Sequence, residues 1–137
     1  MSTIIRSGSQ APVPGPDAYF TGRATIEWQF SREQPARVAG ALVSFDAGAR
    51  TAWHTHPLGQ TLIVVSGIGW HCCEGEPREE IRAGDIVFCE PGRRHWHGAT
   101  ASSPMSHIAL QEALDGEVVT WREKVSDDEY LARQPAE

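Results

Sequence analysis

Six histidines stand at positions 54, 56, 71, 95, 97 and 107 of a 137-residue chain, and four of them form two His-x-His pairs. On a β-strand successive side chains point to opposite faces, so residues two apart share a face. His54 and His56 therefore present two imidazole nitrogens to one point in space, which is what a metal ion needs. His95 and His97 repeat the spacing, and Gln60 adds an amide four residues after His56. Such donors suit a first-row divalent ion and differ from the thiolate cage of a structural zinc site. His71 has no partner at this spacing and reads as outside the chemistry.

The elements that must hold these residues are strands. From Arg23 to Phe30 the residues alternate, with Ala24, Ile26, Trp28 and Phe30 on one side and Arg23, Thr25, Glu27 and Gln29 on the other, the pattern of a half-buried strand. Further strands are predicted at residues 38–45, 51–56, 60–66, 68–73, 79–81, 86–89, 95–97, 105–112 and 117–121. Turn residues separate them, among them Ser66-Gly67, Ala83-Gly84-Asp85 and Asp115-Gly116. Many short strands with almost no helical period mean an all-β sandwich or barrel. The one helix signal is a capping box, Ser126 with Glu129 three residues on, which opens a short helix over residues 126–133. Residues 1–18 carry Gly, Pro and Ser without sustained period and read as an irregular arm before a barrel over 19–122. The whole chain, 1–137, is one domain.

Composition narrows the partners. A net charge of −6 opposes nucleic-acid binding, which needs a basic surface. The longest apolar run, Leu62 to Val65, is far too short to span a membrane, and no signal-peptide pattern opens the chain, so a cytoplasmic location is expected. Cys72 and Cys73 are sequence neighbours whose side chains diverge on a strand, and with Cys89 they read as reduced packing thiols. Trp53 and Trp96 each neighbour a pair histidine and so point away from it, as packing anchors. Arg93-Arg94 reads as a solvated loop. An open sheet edge favours a homodimer or homotetramer, and the arm could add a strand to a neighbour.

The spacing Gly48-x5-His54-x-His56-x3-Gln60-x6-Gly67 resembles the first cupin motif, with Gln60 where glutamate is common. Gly84-x5-Glu90-x-Gly92-x2-His95-x3-Ala99 resembles the second, with Glu90 and Ala99 replacing proline and asparagine outside the ligand positions. The resemblance implies a small jelly-roll barrel with His54, His56, Gln60 and His95 as metal ligands. Such a set is neutral, so the ion would keep its full charge for an anion or for a hydroxyl whose pKa it lowers. Gln60 could instead be an amide capping a strand.

The run GARTAWHTHPLGQTLIV, the later HWHGA, and His107-x-Ala109-x-Gln111-Glu112-x-Leu114-Asp115-Gly116 are similar to the bacterial cupin hydroxynitrile lyases. That resemblance implies a manganese-dependent enzyme acting reversibly on (R)-cyanohydrins such as mandelonitrile, with Fe2+, Zn2+, Ni2+ or Co2+ as other ions the donors accept. Met105, His107, Ala109 and Gln111 share one strand face. His107 is the first candidate for general base, His97 the second, and Gln111 a donor to cyanide or the substrate oxygen; each could instead merely line the site. Ala41, Val43 and Ala109 would leave room for an aryl aldehyde as substrate. The same histidines would also serve an iron-dependent dioxygenase or a non-catalytic small-molecule-binding cupin.

Overall fold

A computed structural model of the chain describes residues 2–133; Met1 and residues 134–137, the two ends of the domain expected over 1–137, lie outside the described residues. Twelve strands make one curled sheet: β1 Val13–Pro14, β2 Phe20–Thr21, β3 Ala24–Ser31, β4 Val38–Phe45, β5 Arg50–Thr51, β6 His54–Thr55, β7 Gln60–Cys73, β8 Glu79–Arg82, β9 Ile86–Cys89, β10 His95–Ala99, β11 Met105–Glu112 and β12 Thr120–Trp121. The main path runs β1-β3-β4-β11-β7-β10-β5-β2, with β8 and β9 also on β7 and β6 on β10 and β12. Every ladder is antiparallel. The all-β barrel architecture read from the sequence stands. Among the described residues no helix is long and apolar enough to cross a membrane.

Several boundaries differ from the pattern reading. The expected strands 60–66 and 68–73 are one strand, β7, because Ser66-Gly67 continues the ladder just past a bulge rather than making a turn. Ser106 lies opposite Ser66 and His107 opposite Val64, so Val65 is the extra residue. The first half of β7 pairs with β11 and β9, and the second half with β10 and β8, so this strand carries the sheet around its bend. Gly67 has φ +74°, and a Cβ there would collide with the Pro104 carbonyl.

A second bulge corrects the alternation from Ala24 to Phe30. Glu27 faces Leu42 but Phe30 faces Gly40, so β3 holds one residue more than its partner. Trp28 takes φ +56° there and is 50% exposed instead of sharing the buried side of Ala24. The expected strand 51–56 breaks at Ala52-Trp53, and of 117–121 only Thr120–Trp121 is strand. The arm is irregular except for β1, which pairs Val13 with Ile26. The helix forms with its capping box but ends at Tyr130, short of residue 133.

Two apolar clusters hold the sheet. Inside the curl, Phe45, Val43, Val64 and Met105 pack with Phe20 and Ala24. Behind β10, Trp96 and Trp53 pack with Val125 and Tyr130, as expected of anchors facing away from the histidines. The C-terminal segment docks onto that second cluster through buried Arg50, which donates to the Val125 carbonyl at 2.8 Å and lies 4.4 Å from the Tyr130 ring. The Tyr130 hydroxyl donates to the Ala99 carbonyl at 2.6 Å.

Gly67→Ala should destabilise the fold by at least about 2 kcal/mol, from the left-handed backbone plus a backbone clash. Gly75→Ala, at φ +82° with nothing within 4 Å, isolates the conformational part and should cost about 1 kcal/mol. Urea midpoints of the two variants check the difference; equal losses would remove the clash.

Candidate metal centre

His54 on β6 lies directly opposite His95 on β10, so the first histidine of each pair comes from facing positions of one ladder. Their rings meet at 4.3 Å between centroids. His56 follows β6 in a tight loop in which the Gly59 and Gly92 amides donate to the His56 carbonyl. Gly59 sits at φ +80°, where a Cβ would come within 2.6 Å of the Cys89 carbonyl. That turn brings Gln60 back beneath the histidines at the start of β7. His56 is 5.1 Å from His54 and 5.5 Å from His95 between ring centroids. His54, His56, Gln60 and His95 are all buried.

Three of these rings have their orientation fixed by backbone. The Nδ1 of His54 lies 2.8 Å from the Ala52 carbonyl, that of His56 2.7 Å from the Val118 carbonyl, and that of His95 2.9 Å from the Arg93 carbonyl. A carbonyl only accepts, so Nδ1 carries the hydrogen in each ring and Nε2 keeps its lone pair. His56 Nε2 is buried without a partner. The lone pair of His95 Nε2 faces Gln60 Oε1 at 3.3 Å, two acceptors against each other, while the Gln60 Nε2 group donates to Gln111 Oε1 at 3.1 Å. A cation against those lone pairs satisfies all of them, so the donor set fits a metal ion.

His97 also approaches: its ring and those of His54 and His95 place one nitrogen each within 4.8 Å of one another. Its environment differs, because His97 Nδ1 has no carbonyl and is buried unpartnered. The ring meets Phe45 edge-on at 6.4 Å and His107 at 4.9 Å. His107 stands on the inner face between Val43 and Val64, with both ring nitrogens unpartnered. Ala109 faces Ala41 on one side and Leu62 on the other. Val43 is buried in the core cluster, with Ala41 packed against it. Gln111 lies beside Gln60, and its Nε2 group donates to the Ala39 carbonyl at 3.3 Å. A cavity of about 490 Å³, lined by Val38, Leu58, Leu110 and Cys89, reaches this glutamine pair from outside.

Burial lowers the pKa of all six imidazoles, to about 3 for His95 and about 4 for His71 and His107. His54 and His95 are lowered further by neighbouring imidazoles. At neutral pH the cluster is therefore uncharged, with its lone pairs available. His107 consequently titrates well below the near-neutral range expected of a free imidazole.

Two residues read from the sequence as outside the chemistry, His71 and Arg94, and one given no role there, Trp121, lie against these histidines or their supports. His71 is buried opposite His97 on the adjoining strand, 5.7 Å from His95 and 6.1 Å from His97 between ring centroids. The parity of β7 against β10 was the signal that could have found it. Trp121 lies opposite His54 and covers it at 4.8 Å. Arg94 is not a solvated loop residue: both its terminal nitrogens donate to Glu123 at 2.7 Å, and its guanidinium lies 4.7 Å from the Trp53 ring. The Arg94 guanidinium holds the Glu123 carboxyl down to about 2.

A family model described as "Cupin domain" matches residues 41–110, the stretch that contains His54, His56, Gln60, His95 and the bent strand β7. The chain belongs to the cupin family. This cupin is 55% identical over 127 residues to the (R)-mandelonitrile lyase of Granulicella tundricola, covering 93% of the chain and 97% of that protein. Among solved structures it is similar to a cupin-like protein of Thermotoga maritima MSB8, at 30% identity and TM-score 0.82, covering 99% of this chain and 100% of that one. A predicted oxalate decarboxylase of Thermotoga maritima shares the fold at 21% identity and TM-score 0.70, covering 82% of this chain and all of that one.

Stability of the chelated protein should fall with acid. The folded chain resists protonating His95 and His107, whereas the unfolded chain takes up those protons below its ordinary histidine value of 6.5. The stabilisation is thus full above that value and is lost as pH drops toward 4, on the order of 2 kcal/mol per buried imidazole at pH 5. Urea midpoints between pH 7.5 and 4.5 check this; a flat profile contradicts it.

Proposed function

We propose that this cupin is a metal-dependent hydroxynitrile lyase, cleaving (R)-cyanohydrins such as mandelonitrile reversibly to aldehyde and cyanide. The observation that carries the reading is the set of three imidazoles with Nδ1 tied to backbone and Nε2 free, in a chain 55% identical over most of its length to an (R)-mandelonitrile lyase. His54, His56, Gln60 and His95 are the proposed ligands, and Mn2+ the proposed ion. His56 is preferred to His97, although the His97 ring lies in the compact nitrogen cluster with His54 and His95, because the Val118 carbonyl fixes the His56 tautomer with Nε2 free while no carbonyl holds His97 Nδ1.

When bound, a divalent ion held by neutral donors supplies Lewis acidity toward a hydroxyl. The chain's own groups handle the proton and the leaving group. His107 is neutral, fully buried and unpartnered at both nitrogens, so it can accept the cyanohydrin hydroxyl proton. The oxygen's electron pair then forms the carbonyl as the carbon–cyanide bond breaks, and cyanide departs with the bonding pair and takes the proton back from His107 as hydrogen cyanide, returning the imidazole to its neutral form. The low basicity that burial gives His107 keeps it unprotonated before reaction. Gln111, held by Gln60 and Ala39, is the proposed donor near the departing group. The glutamine pair ends the outer cavity, so substrate entering there must part it. Ala41, Val43 and Ala109 are the proposed wall against the aryl group.

Two measurements test this. Elemental analysis should find that His54→Ala, His56→Ala and His95→Ala lose the metal while His97→Ala retains it; retention in His56→Ala with loss in His97→Ala would reassign the third imidazole. Manganese-loaded protein should release benzaldehyde and cyanide from mandelonitrile without oxygen. His107→Ala should lower kcat by about 10²–10⁴-fold with metal content unchanged. A strict need for oxygen would favour a dioxygenase, and failure to turn over mandelonitrile at full occupancy would end the lyase reading.

A further inference from the structure

Beside the imidazole–amide centre, three groups that the proposed reaction does not use converge. His71 Nε2 stands 3.6 Å from Cys73 Sγ and 3.9 Å from Cys89 Sγ. The fold builds this meeting. His71 and Cys73 are two apart on β7, with His71 opposite His97 and Cys73 opposite His95. Cys89 ends β9, where it lies opposite Gln60 at the other end of β7. Cys72, of opposite parity, packs away against the Trp96 and Tyr130 cluster. His71 is only 5% exposed, and Cys89 3%.

One imidazole and two thiols are a soft donor set, of the kind that selects zinc, cadmium or copper(I) over manganese. Its two nitrogen–sulfur spacings suit such an ion. With metal–nitrogen near 2.0 Å and metal–sulfur near 2.3 Å, a tetrahedral site separates nitrogen from sulfur by about 3.5 Å. The two observed separations exceed that by about 0.1 and 0.4 Å, whereas the Cys73 and Cys89 sulfurs do not lie within 4.8 Å of each other, so the half-exposed Cys73 would turn toward the ion on binding. His71 and Cys73 border a cavity of about 510 Å³ that opens past Glu76 and Glu90, so an ion has a route in and carboxylates at hand for a further position. An ion would enter by displacing the protons of the Cys73 and Cys89 thiols.

We infer that His71, Cys73 and Cys89 form a second metal site, for a thiophilic cation of the zinc and cadmium class, separate from the imidazole–amide centre. It does not depend on the lyase reading, because its signature is sulfur ligation and the other centre contains no sulfur.

The test is titration of the reduced, manganese-loaded protein with Cd2+, followed by ultraviolet thiolate-to-cadmium charge-transfer absorption. The expected result is a band that saturates near one equivalent, persists in Cys72→Ser and is lost in Cys73→Ser and Cys89→Ser. His71→Ala should weaken the apparent affinity by roughly tenfold or more, at least what loss of a ligand's outer partner costs. Circular dichroism of each variant separates loss of ligand from loss of fold. Should Cys89→Ser not fold, the half-exposed Cys73 and His71→Ala still decide. No thiolate band in the unsubstituted protein, or a band that Cys72→Ser removes and Cys73→Ser leaves, overturns the site.

Discussion

A neutral imidazole binds a cation only through the nitrogen that its own hydrogen leaves free, and in a buried cluster nothing but a fixed acceptor can decide which nitrogen that is. Here the carbonyls of Ala52, Val118 and Arg93 make that choice for His54, His56 and His95. The result is three lone pairs and an amide oxygen gathered where water is excluded, an arrangement poorly satisfied without positive charge. Charged neighbours do not set this up: desolvation keeps the rings neutral, and the charges acting on His54 and His95 are those of other imidazoles.

The carbonyls are in place because of the sheet's register and a few unusual backbone positions. The ladder that sets His54 opposite His95 fixes the first pair, and the Gly59 turn returns the chain so that Gln60 enters beside them. Trp121 and Glu123 close the other side. Trp121 covers His54, and across the same stretch the Trp53 N–H donates to the Glu123 carbonyl while the Arg122 N–H donates to the Trp53 carbonyl. The Arg94–Glu123 pair lies over Trp53, so the arginine next to His95 helps hold the segment that carries His54. Exposed Glu123 makes that pair a weak source of stability; its value is in orientation.

Much of this was legible from period and spacing. The two His-x-His pairs, the shared face of His107, Ala109 and Gln111, the divergence of Cys72 from Cys73, and the outward turn of Trp96 all follow from the two-residue repeat of a strand. The failures share a cause. A positive φ serves turns and bulges alike, and only the pairing partner tells them apart, so Ser66-Gly67 carries the sequence of a turn and Trp28 the alternation of a buried residue. His71, Trp121 and Arg94 were missed because their roles come from a neighbouring strand rather than from their own segment. Spacing along one strand shows which side chains share a face; it does not show which strand lies alongside.

Neutral nitrogen and oxygen donors, preset by backbone, are the proposed seat of one divalent ion. X-ray absorption at the manganese edge of the manganese-loaded protein reads the ion's immediate neighbours directly. The account predicts a shell of light atoms only, with the multiple-scattering pattern of about three imidazole rings. A spectrum of fully hydrated manganese, or one with sulfur in the first shell, would contradict it.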